Sequence, residues 1–149
     1  EISAAIFSLV VSGKGDSHTA SVSLVLSTPA YDANVVTGDY DQLGTVKQAT
    51  DVTIASMTAD NVAYTDWTLN ATGRGNISKT ATRTKFGTKI AFDADNAEPA
   101  CINAGQTYVN ARMADEAGTT KDPKLVVTHA AAAAAARASS PITMLGVGG

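Results

Sequence analysis

The sequence predicts an all-β protein on the strength of three observations. Thr, Ser, Ala, Val, Gly and Asn/Asp are abundant while Leu, Glu and Lys are scarce, a balance typical of short strands and polar turns rather than of helices. Apolar and polar residues alternate over several short runs, as they do in half-buried strands. Turn residues separate these runs. The 149 residues have room for one domain with a hydrophobic core.

The first two runs predict a β-hairpin with one buried face. Ile2–Ser12 is rich in β-formers from its second residue, so we expect a further segment to precede it. Gly13–Ser17 is expected to form the turn of the hairpin, and Ala20–Leu26 its second strand. The apolar face of that strand would hold Val22, Leu24 and Leu26.

The middle of the chain predicts a polar excursion followed by two strands. Thr28–Gly44 is too polar for a central strand, although Thr37 could cap a single helical turn within it. Strands are expected at Thr50–Met57 and at Ala63–Leu69. The second of these would point its two large apolar residues inward, namely Trp67 and Leu69.

The second half predicts one short helix and three strands. Either Asn70 or Thr72 is expected to cap the helix, which would run toward Ile77 and Lys79. The strands are expected at Thr84–Asp93, Thr107–Met113 and Asp122–His129. The first of these strands carries three large apolar residues at even spacing, which are Phe86, Ile90 and Phe92.

The count is seven or eight strands with one or two short helical turns, a pattern typical of β-sandwiches, jelly rolls included. Residues 1–129 are expected to form this jelly-roll-like sandwich. Residues 130–149 are expected to be an Ala-rich linker and an extended apolar tail, because seven alanines are followed by a Gly-rich apolar end. The tail is too apolar to remain in water and suits docking into a neighbouring subunit. Its docking residues would be Ile142, Met144, Leu145 and Val147.

Composition excludes some classes of function. The formal net charge of −3 and the pI of about 5.2 supply no basic surface for nucleic-acid phosphates. No apolar run approaches the roughly 20 residues of a membrane span. Cys101 is the only cysteine, so no intramolecular disulfide can form. His18 and His129 form no ligand pair, and no nucleophile–base motif occurs, so we expect no enzymatic activity and no catalytic residue.

Two sets of residues are candidates for binding. Asp93 and Asp95 have the spacing of oxygen ligands that suits Ca²⁺, although a solvated turn explains them as well and no other cofactor is indicated. Trp67 would either fill the space between the sheets, as large aromatics in small β domains usually do, or stack on sugar rings. Tyr64 and Tyr108 are the other candidates for stacking on a sugar.

Five segments, in order, resemble the C-terminal part of jelly-roll modules in structural proteins of tailed bacteriophages, which are similar in turn to carbohydrate-binding-like sandwiches of secreted and cell-surface proteins. They are TLNATG at Thr68–Gly73, ISKT at Ile77–Thr80, TKFGTKI at Thr84–Ile90, ADEAGTTKDPKLVVTH at Ala114–His129 and the terminal ITMLGVGG. The chain departs from the family at two points: strands usually precede the position where this sequence begins, and the alanine run replaces a mixed Ser/Thr/Pro linker.

The resemblance implies a non-enzymatic virion protein, either a capsid decoration or minor capsid protein or a subunit of a tail or fibre. Its partners would be further copies of itself and other virion subunits, and its location the virion. Two alternatives stay open. One is a carbohydrate-binding or host-adhesion module at a cell surface, which would bind a host glycan. The other is the subunit of an extracellular filament.

Overall fold

The computed structural model describes residues 1–31, 34, 36–80, 82–97, 99, 105–114 and 117–130. These residues form eight strands, two short α-helices and two 3-10 helices. The strands are β1 (Ile2–Asp16), β2 (Ser21–Ser27), β3 (Leu43–Lys47), β4 (Val52–Thr53), β5 (Tyr64–Thr68), β6 (Phe86–Ile90), β7 (Thr107–Ala111) and β8 (Lys124–His129). The helices are α1 (Ala71–Gly75) and α2 (Ala91–Ala94), and the 3-10 helices are Thr37–Gln42 and Ile54–Ser56. The prediction of an all-β protein is confirmed.

The first sheet is built around the long strand β1. Both β5 and β8 pair with Ile6 to Ser8 of β1. The two strands must therefore lie on opposite edges of β1. β7 continues the edge of β8 along the second half of β1. The backbone oxygens of Val10 and Val11, which point to opposite edges, accept hydrogen bonds from Arg112 and Asn61 respectively. All pairings in this sheet are antiparallel.

The second sheet is built around β2. β6 pairs with one edge of β2, and β3 and β4 share the other edge. Alternation along β2 places Val22 and Leu24 in the core, as predicted, while Ser23 and Val25 are buried on the opposite face. Both faces of β2 are therefore covered.

The two sheets pack face to face in a sandwich-like arrangement. The rings of Phe7 on β1 and Phe86 on β6 lie 6.1 Å apart between centroids, and Trp67 on β5 contacts the backbone of β2. On one side the sheets are joined, because Ala49 and Leu69 form a β-bridge and Asn70 donates a backbone hydrogen bond to Gln48. The inward orientation of Trp67 and Leu69 is confirmed, since both are buried in the core.

The predicted hairpin of the first two strands is wrong. β1 continues through Gly13 and Gly15 to Asp16, because this part of the chain pairs with β7. The glycines serve close packing rather than a turn: a Cβ at Gly15 would lie only 2.6 Å from the ring of Tyr108. The chain reverses after Asp16 and enters the other sheet, so β1 and β2 are not hydrogen-bonded to each other.

Two further strand predictions need correction. Thr50–Met57 is a strand only at Val52–Thr53 and then turns into a 3-10 helix, where the Ile54 side chain is fully buried. The predicted strand at Thr84–Asp93 ends at Ile90 because α2 follows, so that Phe92 is on a helix and not on the strand. Turns this short have no periodicity that distinguishes them from strand residues.

The polar excursion contains the predicted helical turn. An additional strand, β3, begins at its end and was not predicted from the sequence. The helical turn is capped at Val36 rather than at Thr37. The buried carboxylate of Asp39 accepts hydrogen bonds from the backbone nitrogens of Val36 and Ala30, at 2.8 and 3.1 Å. Asp39 thus supplies the polar contacts that a cap side chain would normally make.

The predicted helix after β5 is present as α1, shorter than expected. Of the two proposed caps, Asn70 is the one used: its Oδ1 accepts a 2.9 Å hydrogen bond from the nitrogen of Gly73. Its Nδ2 donates to the oxygen of Lys47. The helix therefore begins where a side-chain acceptor is available and is fastened to the second sheet by the same residue.

Candidate functional site

The three aromatic residues proposed for sugar binding do not form one surface. Trp67 is 1% exposed and donates its indole hydrogen to the backbone of Val22, so its ring is a core element. Tyr64 is opposite Val10 on one edge of β1, and Tyr108 is opposite Gly15 on the other edge. Of the two roles considered for Trp67, its burial agrees with core packing and leaves no ring face for a sugar.

Tyr64 anchors the segment that leads into β8. Its hydroxyl donates to the backbone oxygens of Thr120 and Asp122 at 3.0 and 3.1 Å. The ammonium group of Lys124 lies 3.6 Å from the ring centroid, an arrangement in which the cation is attracted by the π face. Both the hydroxyl and one face of the ring are thereby occupied within the protein.

Tyr108 is the most accessible of the three aromatic residues. It lies on the outer face of β7 and is 39% exposed, while its neighbours Val109 and Ala111 pack toward the core. The ring packs over the backbone of Gly15, as the contact distances at that glycine show. This residue retains the surface that stacking on a sugar requires.

The carboxylates proposed to bind calcium are both engaged by lysines. The Nζ of Lys47 lies 2.7 Å from the carboxylates of both Asp51 and Asp95, and the Nζ of Lys89 lies 3.4 Å from that of Asp93. A calcium ion would have to displace both ammonium groups. No group of three or more His, Cys, Asp or Glu side chains suited to a metal ion occurs in the described part of the chain. The calcium site stays a prediction.

Hydrogen bonds within this cluster shift several pKa values. The hydroxyl of Tyr40 donates to Asp93, and this bond together with the charge of Lys89 lowers the pKa of the Asp93 carboxyl. The same bond raises the pKa of Tyr40. Asp51 and then Asp95 raise the pKa of Lys47. The charged side chains surround the outer face of β2, where the hydroxyl of Ser23 donates to Asp51 at 2.8 Å. The arrangement is a network of hydrogen bonds and ion pairs over that face.

The sheets are open on the side opposite the bridge. There β6 borders the second sheet while β7 and β8 border the first, and we call the gap between β6 and β7–β8 the seam. Among the described residues β6 pairs only with β2, and β8 only with β1, so each has one free edge. The sequence analysis did not predict the seam or the residues that line it.

Three clefts follow one another along the seam. The first, of about 320 Å³, opens between Ile90 on β6 and Val109 on β7 and reaches Trp67 at its floor. The second, of about 410 Å³, lies between Phe86 on β6 and Leu125 on β8. The third, of about 430 Å³, is at the end of the sandwich. Its apolar lining residues are Ile2, Ile77 and Val127.

Apolar side chains are accessible at the seam. Leu125 is 36% exposed although it lies opposite Phe7 and points toward the other sheet, and Met113 is 52% exposed beside the first cleft. Val126 on the outer face of β8 is exposed as well. Unpaired strand edges combined with accessible apolar residues are features of surfaces that bind other chains.

The tail residues proposed for docking, Ile142, Met144, Leu145 and Val147, lie outside the described residues, as does Cys101. His18 and His129 are far apart at the two ends of β1: Nδ1 of His18 is 2.7 Å from the hydroxyl of Thr107, and His129 is opposite Ile2 on β8.

Lys14 is an important residue that the sequence analysis missed. Its ammonium group donates to the backbone oxygens of Ile54, Ala55 and Met57, at 3.0 and 2.8 Å for the first two, and so fastens the 3-10 turn to β1. No local signal could have revealed it, because about 40 residues separate the donor from its acceptors.

Comparisons with known proteins returned no match: no protein-family model, no curated protein and no solved structure is similar to this chain. No helix in the described ranges is both long and apolar enough to cross a bilayer.

Proposed function

We propose that this protein is a non-enzymatic structural subunit of a tailed-bacteriophage virion, either in the capsid as a decoration or minor capsid protein or in a tail or fibre. It would assemble with further copies and with other virion subunits. The observation that carries the proposal is the seam, where two free strand edges flank a row of clefts lined by core residues. An exposed strand edge is a template for pairing with another chain.

The seam supports assembly because it exposes apolar side chains and backbone groups that a closed sandwich would bury. Leu125 and Val127 face the interior from β8, yet the clefts between them and the opposite sheet open to the surface. Addition of a strand from another chain would satisfy backbone groups at the free edges and cover these side chains in one step. Assembly is therefore the activity that this geometry serves best.

The strand connectivity supports a jelly-roll-like sandwich within this proposal. The first strand, β1, pairs with the last, β8, and the chain changes sheets between β1 and β2, β4 and β5, β5 and β6, and β6 and β7. Crossing between sheets and return to the first strand are characteristic of Greek-key and jelly-roll topologies. The virion setting rests on the five segments that resemble phage structural proteins.

The oligomeric state of the full chain tests the proposal. Leu125→Asp places a charge in the seam, whereas Val62→Asp places the same charge at a 72% exposed site just before β5, on the opposite edge of β1. Sedimentation should show assembly of the parent and of Val62→Asp, and its loss in Leu125→Asp. A monomeric parent at all concentrations contradicts the proposal. Electron microscopy of the native assembly distinguishes a shell or tail from a filament of this chain alone.

A carbohydrate-binding or adhesion module is the second candidate, and the exposed ring of Tyr108 is the observation in its favour. Glycan-array binding that is lost in Tyr108→Ala would support it. Tyr31→Ala is the matched control, since Tyr31 is exposed and lies in a loop after β2. If Tyr108→Ala still binds glycans, Tyr108 is not the binding residue. It is the most accessible of the three aromatic residues proposed for sugar stacking.

A further inference from the structure

The point at which β8 ends suggests what fills the seam. His129, the last residue of β8, lines the third cleft together with Glu1 and Ile2, and the nitrogen of Ala130 donates a 2.9 Å hydrogen bond to the oxygen of Glu1. The chain that follows therefore starts at one end of the seam. It comprises 19 residues beyond the described part, 131–149.

The chemistry of this segment matches the seam. From residue 138 onward the sequence contains no Asp, Glu, Lys or Arg, so its side chains bring no charge that burial would penalise. In an extended conformation Ile142 and Met144 share one face while Leu145 and Val147 share the other. Whichever face is turned inward would place two apolar side chains over the clefts.

We propose that residues 142–147 of one copy occupy the seam of a second copy as an added β-strand. The proposal rests on the proposed function, because it names the partner through which the subunits assemble. The strand would pair with the free edge of β8 or β6, and its inward side chains would cover Leu125, Val127 and Phe86. Backbone hydrogen bonds would provide affinity and the clefts would select the side chains.

The length of the linker favours a second copy over the same copy. A strand that returned along its own β8 would need a hairpin loop, and such loops are commonly about 2–5 residues long. Twelve residues, 130–141, separate the end of β8 from Ile142. Fully extended, a segment of that length spans about 40 Å, enough to reach a neighbouring subunit. The linker is thus longer than a hairpin needs and sufficient for exchange between copies.

Disulfide trapping tests the proposal in the full chain. In a Cys101→Ser background, which removes the only natural cysteine, Leu125→Cys is placed on a copy with a mass tag. Either Met144→Cys or Leu145→Cys, one for each face of the tail strand, is placed on an untagged copy. After mixing and mild oxidation we expect a mixed cross-linked species, identified by its mass. Val62→Cys in place of Leu125→Cys is the control and should give none.

A chain that carries Leu125→Cys and one of the two tail cysteines distinguishes exchange from self-insertion. Cross-links only within that chain, with no mixed species between copies, would overturn the proposal. Sedimentation of the same samples distinguishes failure of the strand exchange from failure of the proposed function. Assembled protein without mixed cross-links refutes the strand exchange alone, whereas protein that stays monomeric refutes the proposed function as well.

A tail variant supplies a second, independent measurement. The double substitution Met144→Asp/Leu145→Asp places a charge on each face of the strand and should weaken assembly by about tenfold or more, because one of the two charges would have to be buried in the seam. Ser139→Asp/Ser140→Asp adds the same charge to the linker and should leave assembly unchanged. Equal assembly of the two variants would overturn the proposal. Neither substitution touches the described sandwich, so circular dichroism should be identical in both.

Discussion

The indole Nε1 of Trp67 on β5 donates a 3.1 Å hydrogen bond to the backbone oxygen of Val22 on β2. This bond crosses the core and links the central strand of one sheet to a strand of the other. Val22 also pairs with β4 and β6, and the indole adds a side-chain donor to its buried backbone oxygen while the ring fills the space between the sheets.

Replacement of Trp67 should therefore destabilise the protein strongly. Trp67→Ala removes a fully packed side chain, and we expect a loss of about 3–5 kcal/mol in the free energy of unfolding. Trp67→Phe keeps much of the apolar volume but removes the indole hydrogen bond to the Val22 oxygen, so a smaller loss of about 1–3 kcal/mol is expected. Denaturant unfolding measures both. Val62→Ala, at an exposed site, should change stability by less than about 0.5 kcal/mol.

Removal of the Lys14 ammonium group should loosen the turn at Ile54–Ser56. Lys14→Met retains most of the aliphatic chain but leaves three backbone oxygens without their shared donor. We expect a loss of about 1–3 kcal/mol and faster amide exchange at Met57, whose nitrogen closes the turn onto Ile54. Lys79→Met removes the same charge from an exposed position and is the control. Equal effects of the two substitutions would contradict the role assigned to Lys14.

The two glycines of α1 should respond in opposite ways to alanine. A Cβ at Gly73 would overlap the backbone oxygen of Gln48 and lie 3.1 Å from the side chain of Leu69, so Gly73→Ala should separate α1 from the second sheet. We expect a loss of more than about 2 kcal/mol. Gly75 has open space around its Cα. Gly75→Ala should be neutral or stabilise by up to about 1 kcal/mol, because alanine favours helix. Thermal unfolding measures both.

The pKa of Asp93 should depend on the hydroxyl of Tyr40. In the folded protein this pKa lies below the ordinary value of 3.8, so between the two values the unfolded chain binds more protons. The contribution of Asp93 to stability is therefore fully present above pH 3.8 and is lost as the pH falls through the lowered folded value. Tyr40→Phe should raise the pKa of Asp93 toward 3.8, with the charge of Lys89 preserving part of the shift.

Asp60 provides an internal control for that titration. Its pKa is lowered by backbone hydrogen bonds from Ala63 and Val62, which Tyr40 does not contact. A titration followed by NMR of the side-chain carboxyl carbons should therefore show the Asp93 pKa rising in Tyr40→Phe while that of Asp60 stays unchanged. An unchanged Asp93 pKa would mean that the hydrogen bond to Tyr40 is absent in solution.

Local sequence patterns correctly predicted features that depend only on residues close together in the sequence. The alternation that buries Val22 and Leu24 is confirmed, and so is the inward orientation of Trp67 and Leu69. Of the two caps that the sequence allowed for α1, the structure uses Asn70. The predicted turn at Gly13–Ser17 was wrong because glycine allows both a turn and the close approach of another chain, and the sequence near it does not distinguish the two. Phe92 was misplaced for a related reason, since the change from β6 to α2 leaves the even spacing intact.

The sequence by itself determined the all-β class, the core positions of Val22 and Leu24 and the inward orientation of Trp67 and Leu69, because periodicity and composition are local properties. Only the tertiary structure decided which strands pair. Ile2 pairs with His129 although more than a hundred residues separate them, and Val11 pairs with Ala111 across nearly a hundred. No local signal encodes these pairings. The seam follows from these pairings, because among the described strands β6 pairs only with β2 and β8 only with β1.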